Sequence, residues 1–143
     1  DAADPIGINV FTGNDKATVV TDTGVISDDI LRRLDDTTLL VLEANYDPHM
    51  LRFGPYQPFL KQRVASDEGH LSNEMAAQAL LMMKRPNFMQ VILAHRSENN
   101  NNAVLVTQTI GKMLVDGGVR IGPEMKLQHG QPNEIVSIQS VKR

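Results

Sequence analysis

Two runs of this 143-residue chain, Leu39-Leu40-Val41-Leu42 and Val91-Ile92-Leu93, are apolar without alternation. A strand with one wet face alternates in polarity, whereas a strand apolar at every position has both faces covered. The chain therefore reads as α/β, with these runs inside a sheet and helical patterns between them. Ser27 caps a short helix through Leu34, with Asp28 and Asp29 at its positive end and Arg32 and Arg33 at its negative end. Pro55 and Pro58 break the chain before a helix over residues 59–66. Ser72 or Asn73 caps a helix through Lys84 that Pro86 closes, and residues 104–115 form a helix ended by Gly117-Gly118.

The remaining segments are β-rich. Residues 6–11 and 16–21 flank the turn cluster Gly13-Asn14-Asp15 and predict an antiparallel hairpin. Residues 38–43 and 88–95 are the next strands, and residues 125–128 and 135–138, around Gly130-Gln131-Pro132-Asn133, predict a last hairpin. The helices that begin near Ser27, Ser72 and Val104 can cover one face of the sheet, and no other segment obviously covers the second. The expected architecture is one mixed sheet with helices on one face, half of an αββα sandwich. Alone it would expose more than the few hundred Å² of contiguous apolar surface usual on a monomer. A close partner is expected, either the missing half or another copy of the chain.

Composition narrows the function classes only at the edges. The length fits one domain, and 41% hydrophobic residues support a globular class. The apolar runs are far too short to span a bilayer, so no membrane association is expected. With no cysteine the chain has neither disulfides nor thiolate ligands, which fits a reducing compartment such as the cytoplasm. A net charge of −3 gives no global nucleic-acid signature.

Chemistry-bearing residues stand at strand ends. Asp22 lies in Thr21-Asp22-Thr23-Gly24 after an apolar run, and His95 follows the run 91–94 directly. Carboxylate and imidazole there are what a divalent metal and its activated water require. Asp22 also suits a turn that bonds the Thr23-Gly24 amides, and His95 suits a strand-end histidine bonded to a carbonyl. His70, just before the helix that Ser72 caps, can donate a proton to a leaving oxygen or hold a phosphate; otherwise it is a loop histidine that packs. Glu43 closes an apolar strand, either as an acid that orients His70 or as a rim residue in a salt bridge. His49 and His129 read as surface histidines, and Met82, Met83 and Met89 as core filler.

In order and spacing, these runs resemble the carboxyl-terminal half of metallo-β-lactamase-fold hydrolases. The similarity is strongest to the bacterial YycJ/WalJ-type nucleases and more distant to ribonuclease Z. The matching stretches are Asp1-Ala2-Ala3-Asp4-Pro5, Thr21-Asp22-Thr23-Gly24, Leu42-Glu43-Ala44-Asn45, Leu60-Lys61-Gln62-Arg63, residues 69–73 and residues 95–100. The resemblance implies that Asp22 bridges two metals, that His95 is the last metal histidine, and that His70 and Glu43 act beside the scissile phosphate. Arg96 stands where the family usually carries leucine, and Gln57 where proline is common. The family's HxHxDH loop is not in this sequence, and the chain starts at Asp1 without Met, so residues 1–143 are expected to be the carboxyl-terminal half of one domain.

The function this implies is metal-dependent phosphodiester cleavage of DNA, exonuclease-like, using two divalent ions (Zn or Mn) once the amino-terminal half is added. Nucleic acid and that half are then the expected partners, with a homo-oligomer as a further possibility. One alternative is hydrolysis of a small ester, thioester or lactam. Another is a half-domain without activity that serves as an interaction unit.

Overall fold

The computed structural model describes residues 7–138. The matching stretch Asp1 to Pro5 and the start of the first expected strand, Ile6, lie outside the described residues. Five strands form one mixed sheet in the order β1-β2-β3-β4-β5. They are β1 (Ile8–Thr12), β2 (Asp15–Val20), β3 (Leu39–Glu43), β4 (Met89–Ala94) and β5 (Met125–His129). The first two form the expected antiparallel hairpin, and the other pairings are all parallel.

Spatial order equals chain order, so successive right-handed crossovers step across the sheet in one direction and leave their helices on one side. Those helices are α1 (Asp28–Leu34), α2 (Pro48–Phe53), α3 (Pro58–Val64), α4 (Asn73–Met82) and α5 (Ala103–Asp116). Ser27 and Ser72 cap α1 and α4 by accepting from the amides of Ile30 and Met75. The helix α2 was not expected; Asp47 caps it and Pro48 occupies its first turn, a combination that starts a helix in few residues. The last turn of α4 is closed from outside, where Arg85 donates to the carbonyls of Leu80 and Leu81.

The core lies between the sheet and this helical layer. Leu40, Leu42, Val91 and Leu93 meet Ala76, Leu80, Val106, Ile110 and Leu114 in one buried cluster. Met83 and Met89 join it, while Met82 is exposed on the outer side of α4. The opposite face is different. Ile8 and Val10 are 54% and 55% exposed, Val19 is exposed, and Leu39 and Val41 are only half-buried.

The expected last hairpin is not there. Residues 125–128 belong to β5, which pairs with β4 in parallel, and residues 135–138 form no strand. The chain after β5 instead turns back over the second face. Gly130 sits against Ile92 and Ala94, and Ile138 shares a cavity wall with Ala17, Leu39 and Gln90. This single strip covers Ile92 but leaves the β1–β2 side open.

Candidate metal centre

Parallel strands place ligands at their carboxyl ends, and four polar side chains converge there. Asp22 follows β2, Glu43 ends β3, His95 follows β4, and His70 precedes α4. Ligand atoms of Asp22, His70 and His95 lie within 4.8 Å of one another. The His95 Nδ1 stands 3.7 Å from Asp22 Oδ1, and the two imidazoles meet edge to face at 5.1 Å between centroids. They share a polar cavity of about 330 Å³ whose wall includes Tyr56, Arg96 and Asn45. A larger cavity, about 770 Å³, lies at the amino ends of β3 and β4 and gathers no such cluster.

Glu43 is the hub. It is fully buried, and its Oε1 accepts from Nδ1 of His70 at 2.8 Å and from Nδ1 of His95 at 2.7 Å. Its Oε2 accepts from the Thr23 amide at 3.2 Å, with the Leu71 amide at 3.5 Å. Burial pushes the Glu43 carboxyl up, but the hydrogen bonds and charges of the two histidines outweigh this and hold it below the usual carboxylate range. An ionised carboxylate only accepts, so both Nδ1 atoms carry hydrogen and Nε2 of each ring is left for a metal or a substrate. The hydrogen bond to Glu43 raises His95 above an ordinary imidazole; partial burial opposes this, and the charges of Glu43 and Asp22 reinforce it.

The backbone is bent to make this possible. Asp22 and His95 both adopt the left-handed conformation, with φ of 59° and 53°. Such residues cost of order 1–3 kcal/mol each and persist only where their surroundings hold them. The His95 turn brings its ring to Glu43, and the Asp22 turn sets its carboxylate beside that ring. The loop beside Asp22 is seated by close approach: a Cβ on Gly24 would overlap the Ser66 and Asp67 carbonyls, and the Gly24 amide donates to Asp67 O. Gly69, next to His70, is confined in the same way by the carbonyls of Arg63 and Val64.

All four residues singled out in the sequence thus lie together. His49 is elsewhere, exposed and tilted against Phe53. His129 is not a surface histidine: it is half-buried, bonds Thr107 through Nε2, and is lowered by desolvation and by Arg96. What the sequence reading did not single out is a group of buried asparagines, Asn45, Asn73, Asn100 and Asn101, behind the histidines. Their signal was a polar residue directly after an apolar strand (Asn45) and the run Asn99 to Asn102, which reads as a plain polar loop.

Fold and cluster together define an α/β protein with a three-residue candidate metal centre at the carboxyl rim of its sheet. Comparison with known proteins agrees with the motifs. The chain is 33% identical over 141 residues to exodeoxyribonuclease YycJ of Bacillus anthracis, an alignment that covers 99% of this chain and 53% of the relative. It is 35% identical over 124 residues to exodeoxyribonuclease WalJ of Streptococcus pneumoniae serotype 2 (strain D39 / NCTC 7466), covering 86% of this chain and 46% of that relative. The WalJ of Streptococcus pneumoniae strain ATCC BAA-255 / R6 matches with the same figures. No family model matches the chain. The chain is homologous to the YycJ/WalJ exodeoxyribonucleases, the relatives its motifs implied. It spans about half the length of the curated relatives it matches. No helix among the described residues is long and apolar enough to cross a membrane.

Proposed function

We propose that this chain is the carboxyl-terminal half of a metallo-β-lactamase-fold domain and carries part of the active site of a metal-dependent DNA exonuclease. The observation that supports this most is the convergence of Asp22, His70 and His95 around a buried, ionised Glu43 at the carboxyl rim. The donor types fit a divalent ion: a short carboxylate and imidazole nitrogen, with no thiolate, suit zinc or manganese. Asp22 and His95 would hold the metals. Two bound ions would lower the pKa of a water and polarise the phosphoryl oxygen.

The protein's own residues supply orientation and proton transfer. Asp22 presents its carboxylate beside His95 from the bend after β2. Glu43 fixes the tautomer of both rings and so directs Nε2 toward the cavity. His70, held at Nδ1 by Glu43, would act as a general acid in its doubly protonated form, giving the Nε2 proton to the leaving oxygen of a cleaved phosphodiester. Arg96 lines the same cavity and offers a guanidinium to the substrate backbone.

The partner in this reading is the amino-terminal half. Two facts support it: the relatives are about twice as long as the chain, and the second sheet face carries exposed Ile8, Val10 and Val19. The test supplies the chain with the amino-terminal half of a YycJ/WalJ relative and measures nucleotide release from DNA ends in zinc or manganese. Expected is metal-dependent release that Asp22→Asn and His95→Ala abolish. An assembled, metal-loaded complex that leaves DNA and RNA intact, or that cleaves a small ester or lactam instead, overturns the nuclease reading.

A further inference from the structure

We propose that Asn45 is a positioning residue of this site: it grips the backbone of His95 in its left-handed turn and locks that turn to the His70 loop. Asn45 lies two residues past Glu43, is 8% exposed, and forms part of the cavity wall. It reaches three directions at once. Its amide N–H donates to the carbonyl of Leu71, the neighbour of His70, at 2.9 Å. Its carbonyl accepts from the Ser97 amide at 2.8 Å. Its side-chain Nδ2 donates to the carbonyl of His95 itself at 2.7 Å.

That last bond falls on a residue held in the left-handed conformation. A φ of 53° is uncommon for any residue with a Cβ and persists where the surroundings hold it. From this turn the ring of His95 reaches Glu43 at 2.7 Å. Glu43 therefore holds the ring and Asn45 the backbone, a clamp at two points. Asn45 is itself fixed from behind. Asn101 Nδ2 donates to the Ala44 carbonyl at 3.0 Å and exchanges amide bonds with Asn73, and the Ala44 amide donates to Ala94 O. His70 is held at Nδ1 by Glu43 at 2.8 Å, and its signal serves as an internal control.

The inference goes beyond the catalytic reading and rests on geometry alone, and its test needs neither metal nor DNA. Nuclear magnetic resonance of the chain follows the Nδ1–H protons of His70 and His95 in the wild type, Asn45→Ala and Asn45→Asp. The aspartate keeps the size and the backbone bonds and replaces the Nδ2 donor with a carboxylate oxygen, which meets the His95 carbonyl as a second acceptor. Expected in both variants is loss of the His95 Nδ1–H signal to solvent exchange, with the His95 Cα and Cβ shifts leaving left-handed values while the His70 signal persists. If Asn45→Ala does not fold, Asn45→Asp decides. A His95 signal unchanged in Asn45→Asp overturns the proposal. So does Asn45→Asp losing both signals together or failing to fold, which marks a general structural role.

Discussion

The two faces of β3 are made of the same kinds of residue and meet opposite fates. Leu40 and Leu42 are fully buried under α4 and α5, whereas Leu39 and Val41, alternating with them, are half-buried beside exposed Val19 and Val10. An apolar strand is built for two covers, and this chain provides one in full. The site lies on the rim where the faces meet, so its ligands come from the finished side and its surroundings stay open on the other. That contrast explains how a half-length homologue can hold a well-ordered histidine pair.

Substitutions can break the contrast at known points. The largest effect is expected from Glu43→Ala, which removes a buried carboxylate and leaves two inward-facing rings without an acceptor; loss of about 3–5 kcal/mol in urea unfolding is the expectation. Leu42→Ala, on the covered face, should cost about 2–5 kcal/mol by the same measurement. Gly24→Ala drives a methyl into backbone carbonyls of Ser66 and Asp67 and should cost about 1–3 kcal/mol while displacing Asp22. Val10→Ser, on the open face, should change the stability of the chain by no more than about 0.5 kcal/mol. The same change should weaken association with the proposed amino-terminal half, measured by titration calorimetry. A costly Val10→Ser in the isolated chain would mean that this face is already closed.

What the sequence revealed follows the range of the interactions concerned. Caps at Ser27 and Ser72 and the hairpin around Gly13-Asn14-Asp15 are settled within a few residues, and they were legible. The tail was misread because turn residues at Gly130-Gln131-Pro132-Asn133 announce a hairpin, while β5 finds its register against β4, a partner no local pattern names. Helix α2 escaped because Asp47-Pro48 reads as a break as readily as a cap. In the site, Asp22, Glu43 and His95 stood out through their place at the ends of apolar runs, and His70 through its place just before the Ser72 cap. Asn45 did not, since its side-chain bond to His95 spans 50 residues and exists only after the sheet is formed.

The question beneath all of this is whether an aspartate and a histidine far apart along the chain make one cation site. Zinc titrated into the chain, followed by resonances of the histidine rings and aspartate carboxyls, answers it directly. Shifts centred on His95, His70 and Asp22, with His49 and His129 unmoved, are the expected result. Zinc that perturbs His49 or His129 and leaves those three unchanged would contradict it.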